Sequence, residues 1–190
     1  MILLVAGMAV FLGMHLVRVV APGFRAAMID RLGPLGWRGV YSLVSLAGFA
    51  ALLLGYANVR WDSPVLWGPA PGWLHMAVGL LMLPVLAALF AAFLPGRIRA
   101  TLRHPMLLAT AAWAAMHLAV NGRLADLLLF GGFLAWSLVV VLAAFRRPWT
   151  PPARTPSLAW DAAALVAGVA AWWWLAFAGG HALLFRVPVM

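Results

Sequence analysis

Five histidines, at positions 15, 75, 104, 117 and 181, are the side chains in this 190-residue chain best suited to ligate a metal. Imidazole is the commonest protein ligand for iron, copper and zinc, whereas methionine sulfur is softer and more rarely used. The four aspartates, at 30, 62, 126 and 161, fall near the ends of apolar runs, and there is no glutamate. A zinc hydrolase needs clustered ligands with a carboxylate base, and no H-E-x-x-H or equivalent occurs. The absence of cysteine excludes disulfides, iron–sulfur clusters and thiolate chemistry.

The histidines must be positioned by membrane helices. Hydrophobic residues make up 66% of the chain, charged residues 9%, and the mean hydropathy is +1.03. That balance excludes a soluble globule. About 20 apolar residues cross the hydrocarbon of a bilayer as a helix. Six windows approach that length: 2–20, 37–56, 73–94, 105–121, 124–144 and 158–184, the fourth being short. None shows the period-2 alternation of a membrane barrel, so the fold class is an all-α integral membrane bundle of about six helices, one transmembrane domain over residues 1–190. The segment 21–37, "APGFRAAMIDRLGPLGW", predicts a short interfacial helix after the first span. "RRPWTPPARTP" at 146–156 reads as an extended linker, and "AWWWLAF" as an interfacial or lipid-facing aromatic surface.

All thirteen basic residues are arginine. Ten lie in the loops after spans 1, 3 and 5 (Arg18, Arg25, Arg31, Arg38, Arg97, Arg99, Arg103, Arg146, Arg147, Arg154), against Arg60, Arg123 and Arg186 on the opposite side. The positive-inside rule makes the first side cytoplasmic and sends both termini to the periplasm of a bacterial inner membrane. The formal charge of +9 is therefore read as orientation against anionic lipid, not as nucleic-acid binding.

On this frame His104, directly before Pro105, is the N-cap of span 4, between Arg103 and the open amides of the first turn, where an anion held with Arg99 is one use. His117 follows thirteen residues later, about 20 Å along the helix and on a different face, so these two cannot share one metal ion. His15 lies inside span 1 with Arg18 three residues on, an arrangement suited to a cofactor that carries a carboxylate. Ionisable residues within membranes face the bundle interior and mark function, which favours His15 and His117 over the helix-end residues His75 and His181.

The stretches "FLGMHLVR" (11–18), "LGPLGWRGVYSLVSLAGF" (32–49), "FLPGRIRATLRHPMLLATAAWAAMHLAVNGRLADLLLFGGFLAW" (93–136) and "HALLFRVPV" (181–189) resemble the NnrU family of bacterial inner-membrane proteins over essentially the whole chain. The most specific part is P-G-R-I-x-x-x-x-R-H-P through H-x-x-x-N-G-x-x-A-D-x-x-L-F-G, residues 95–131. The resemblance implies a context of nitrite and nitric oxide reduction. It also implies kinship with 15-cis-zeta-carotene isomerase, a membrane enzyme that holds heme b between two histidines. Those histidines correspond to His15 and His117. The isomerase's nearby cysteine falls on Ala114, so a thiol-dependent ligand switch is not available. His15 is about five residues deep and His117 about twelve, an offset of roughly 10 Å that an axial pair must absorb. His75 with His117, and His15 with His104, are alternative pairs.

The first functional expectation is thus a heme b protein, with arginines such as Arg18 and Arg103 neutralising propionates, acting as a redox-dependent isomerase of an apolar small molecule or as a redox or heme-linked factor in denitrification. A second follows from "RHPM", which resembles a segment of S-adenosylmethionine-dependent membrane methyltransferases, although the expected tyrosine and glutamate are missing. A third is a non-enzymatic assembly factor for nitrogen-oxide reductases. The small residues in "LAGFAALLLG" and "LVAGVAA" would admit close contacts within the bundle, in a homo-oligomer, or with a respiratory-complex partner.

Overall fold

The computed structural model describes residues 1–150 and 154–185. Arg186 and the closing "RVPV" lie outside the described residues, as does part of the 146–156 linker. The fold is the expected all-α membrane bundle. Among the described residues, five helices are long and apolar enough to span: α1 (Ile2–Val20), α2 (Pro22–Val59), α3 (Gly72–Ala91), α6 (Leu124–Phe145) and α7 (Leu158–Ala176). A sixth, α5 (Pro105–Val120), has 16 residues and is about 24 Å long, short of the roughly 30 Å hydrocarbon core. Two six-residue helices, α4 (Arg97–Leu102) and α8 (Gly180–Phe185), complete the set.

Two windows end earlier than the hydropathy suggests. The third stops at Ala91, where tight turns lead to Pro95. The last breaks after Ala176. Gly179 takes φ +75°, a conformation that side chains with a Cβ avoid, and Gly180 sits against the Trp174 ring.

The expected interfacial helix is the first arm of α2. Gly33 has φ 71° and ψ 165°, a region essentially restricted to glycine, and Pro34 lacks the N–H needed to continue the ladder. The arm 22–32 therefore leaves the axis of the spanning segment and folds back over buried Trp37, whose ring meets Phe24 at 6.4 Å and Tyr41 at 6.2 Å.

The helices pack as a row. α1 lies along α2 and touches α6, α6 packs on α5, α5 on α3, and α3 on α7. Lipid is as apolar as the side chains, so helices gain contact through close packing and not through exclusion of water. A Cβ at Gly7 would strike the Leu52 backbone, one at Gly48 the Phe11 backbone, and one at Gly55 the Leu4 backbone. Gly168 meets Ala87 of α3 in the same way. The small residues of both runs are thus used inside the bundle. Around this seam Leu4, Met8, Leu12 and Leu52 form one core with Ala125, Leu129 and Phe130 of α6. In the "AWWWLAF" run, Trp173 and Trp174 are exposed, while the Trp172 indole N–H donates to the Gly79 carbonyl at 2.6 Å and ties α7 to α3.

Candidate functional site

The arginine-rich loops meet at one end of the bundle, and a short, strained connection shapes it. The N-terminal amides of α4 are capped from a distance: Arg97 and Ile98 donate their backbone N–H groups to the Asp161 carboxylate at 3.1 and 3.0 Å. A Cβ at Gly96 would collide with that carboxylate, which gives the Pro95-Gly96-Arg97-Ile98 sequence its physical reason. At the other end of α4, Arg103 has φ 61° and ψ −48°, and the His104 N–H donates to the Leu102 carbonyl at 2.6 Å. This is a γ-turn of the rare positive-φ kind, a conformation that costs about 1–3 kcal/mol on a residue with a Cβ. Pro105 then starts α5, with His104 as its N-cap residue but without a capping bond from the imidazole. The His104 ring stands edge-on to Phe145 at 5.2 Å, and the Arg103 guanidinium lies 5.7 Å from the Trp149 ring.

The turn opens onto a cavity of about 560 Å³. Its lining brings together His15, Arg18, Arg99, Arg103 and His104 from the sequence prediction, and adds Arg147. Apolar walls come from Val19, Leu107, Val140, Ala144 and Trp149. Among the described residues no carboxylate lines it. A volume in this range suits a small-molecule ligand.

His15 forms part of this wall and also of a second cavity, described below. Its Nδ1–H donates to the Phe11 carbonyl at 2.7 Å, and since a carbonyl can only accept, Nε2 is left with the lone pair. A hydrogen bond of this kind, from the ring nitrogen that does not bind, is what orients metal-binding imidazoles. Phe11, Tyr41 and Trp136 rings hold it at 4.4, 5.4 and 5.9 Å. Beside it, Trp136 Nε1 is buried and has no hydrogen-bond partner among the described residues.

His117 has the same local chemistry, its Nδ1–H donating to the Trp113 carbonyl at 2.9 Å, but a different position. Phe11 and Trp113 lie at one level of the bundle, bridged by Phe133 at 5.9 and 5.5 Å. His15 is one helical turn from that layer toward the arginine end, and His117 one turn from it the other way. Counted in residues, the offset is about 12 Å along the axes, and the two imidazoles line no common cavity. His117 instead packs on Trp113 and Phe130, at 5.2 and 5.0 Å, and lines neither cavity. His75 is exposed on the first turn of α3, and the His181 ring lies 5.0 Å from Phe185 in α8.

The opposite end is tied by hydrogen bonds. The Asn121-Gly122-Arg123 turn receives the loop after α2: Leu66 N–H donates to the Gly122 carbonyl at 2.7 Å, and Leu124 N–H to the Pro64 carbonyl at 2.9 Å. The Arg123 guanidinium donates to the carbonyls of Trp61 and Ser63 at 2.7 and 2.9 Å. Asp126, only 2% exposed, accepts from the Tyr56 hydroxyl at 2.6 Å and from the Arg123 amide at 3.0 Å. A Cβ at Gly122 would meet the Trp67 carbonyl at 2.5 Å. The N-G-x-x-A-D sequence is therefore a structural latch. The sequence offered no local signal for the Tyr56–Asp126 bond or for the capping role of Asp161, since those partners lie some 60–70 residues apart; only the Asp126–Arg123 amide bond is local.

Fold and site together define a multi-pass helical membrane protein with an arginine-ringed, histidine-containing cavity at one end. The chain belongs to the NnrU protein family, whose model matches residues 3–189. No curated protein and no solved structure matches it.

Proposed function

We propose that this is a heme b protein of the bacterial inner membrane, with His15 as an iron ligand in the arginine-ringed cavity. The observation that carries the reading is the state of His15: its Nδ1–H is committed to the Phe11 carbonyl, leaving the Nε2 lone pair for a metal, on a cavity it shares with a second imidazole, four arginines and, among the described residues, no carboxylate. The donor set fits the group. Neutral imidazole is a standard axial ligand of heme iron, and guanidinium forks match carboxylates such as propionates.

In this reading His104 is the second imidazole within the same cavity, in place of His117. Heme b would supply a one-electron couple and an iron centre open to tuning by its ligands and surroundings. The chain's own residues orient and exclude. The Phe11 carbonyl fixes the His15 tautomer, and the rings of Phe11, Tyr41 and Trp136 fix its plane. Arg18, Arg99, Arg103 and Arg147 hold acidic groups at the polar end, while Leu107 and Val140 keep water from the interior. The activity this supports is redox-dependent isomerisation of an apolar ligand or a redox role in nitrogen-oxide reduction. The arginine bias gives this end of the bundle to the cytoplasm and the termini to the periplasm.

The test is the absorption spectrum of protein purified from heme-replete cells in mild detergent, oxidised and dithionite-reduced. A Soret band with sharp reduced α and β bands is expected, lost in His15→Ala, changed to a five-coordinate form in His104→Ala, and retained in His117→Ala. Absence of a Soret band overturns the cofactor, and loss in His117→Ala with retention in His104→Ala overturns the ligand choice.

A further inference from the structure

The second cavity, about 470 Å³, lies between α1 and the kinked α2. Three arginines reach it from three places: Arg18 from the end of α1, Arg25 from the folded-back arm, and Arg38 from the start of the spanning segment of α2. None of the three has an ion pair or a side-chain hydrogen bond among the described residues, and no carboxylate lines the cavity. The hydroxyl-bearing residues Tyr41 and Ser42 complete its polar wall. Its other wall is apolar, with Met14, Val17, Ile29 and Trp37.

This geometry is imposed by the backbone. Gly33 in its glycine-only conformation turns the arm, and the packing of Phe24 on buried Trp37 carries Arg25 toward Arg18 and Arg38. Three cations held together without a counterion repel one another, and an anion relieves that repulsion. A phosphate is the anion that guanidinium groups and hydroxyls together match best. The adjoining apolar wall, at the end of two membrane helices, suits a phosphate that carries an acyl chain and gives no contact to an inorganic ion.

We propose that this cavity is a site for the phosphate headgroup of an anionic membrane lipid, gripped by Arg18, Arg25 and Arg38 with its chain along Met14, Val17 and Ile29. The proposal does not rest on the heme reading. Arg25 and Arg38 belong to this cavity alone, so they can be changed without touching the other.

The test is a native mass-spectrometry titration of the full-length protein in neutral detergent. The probes are dioctanoyl phosphatidylglycerol, dioctanoyl phosphatidylcholine and inorganic phosphate. One phosphatidylglycerol is expected to bind saturably, with the other two weaker by about tenfold or more, the scale of losing one or two charge-assisted hydrogen bonds. The double variant Arg25→Gln/Arg38→Gln is expected to lose about tenfold or more on the same grounds. Arg31→Gln/Arg146→Gln removes the same charge from residues that line neither cavity and is expected to bind like the parent protein. Gly33→Ala keeps every arginine but strains the kink, and is expected to weaken the lipid as well. Equal losses in the two double variants would reduce the effect to diffuse surface charge and overturn the site. Equal binding of phosphatidylcholine, or of inorganic phosphate, would overturn the assignment to an anionic lipid. Circular dichroism checks that each variant is folded, and the visible spectrum recorded alongside keeps the outcome separate from that for heme.

Discussion

The two ends of this bundle use polar residues in opposite ways. At the Asn121-Gly122 end most polar groups are spent on the fold: Asp126 holds Tyr56 and the Arg123 amide, and Arg123 holds two carbonyls of the facing loop, with Arg60 Nε the buried exception among the described residues. At the other end six arginines line two cavities that contain no carboxylate among the described residues, and the buried Asp161 nearby is committed to backbone amides of α4. An internally satisfied network rigidifies a structure, whereas a concentration of unneutralised cations destabilises it unless something anionic binds. The first end is built for folding and the second for a ligand.

Three changes test that division. The largest effect is expected from Asp126→Ala, which strands the Tyr56 hydroxyl and the Arg123 amide in a buried place. Two lost bonds to a charged acceptor amount to about 3–6 kcal/mol. Thermal unfolding in detergent should fall accordingly, while ligand affinity of the folded fraction stays unchanged. A matching loss of affinity would break the contrast between the ends. A smaller effect is expected from Asp161→Ala. It removes the cap on α4 and costs about 1 kcal/mol, as cap deletions do. Because α4 leads into Arg99 and Arg103, binding in the larger cavity should also weaken, by several-fold, in a spectroscopic titration. The smallest effect, and one of opposite sign, is expected from Arg103→Gly. Glycine accepts φ 61° without a Cβ penalty, so stability should rise by about 0.5–1 kcal/mol while binding of an acidic ligand falls. A variant that lost both stability and affinity would show that the γ-turn stores no strain for function.

The same contrast explains the family-specific stretch 95–131. Its central R-H-P contributes Arg103 and His104 to the cavity, and its flanks do structural work. Gly96 leaves room for the Asp161 carboxylate, and Gly122 for Trp67. Asn121 donates its side-chain amide to the His117 carbonyl at 2.8 Å, which closes the last turn of α5. Motif density marks both kinds of demand, and only the contacts separate them.

The sequence by itself determined the solvent, the fold class and the clustering of charge. Apolar runs of membrane length admit only helices, because backbone groups in lipid must be satisfied within the segment. The three arginine-rich loops alternate along the chain, and alternating loops of a helical bundle fall on the same side. Gly33-Pro34 and His104-Pro105 were legible as breaks for equally local reasons. Tertiary structure alone decided which histidines share a space. Depth along a single helix can be counted from residue numbers, but the order of neighbours in the row follows from side-chain packing at Gly7, Gly48, Gly55 and Gly168. That packing sets the Phe11–Phe133–Trp113 layer between His15 and His117 and joins His15 to His104 across the arginine-lined cavity. Periodicity and spacing describe one helix at a time, while a site between helices depends on interlocking surfaces far apart in the chain.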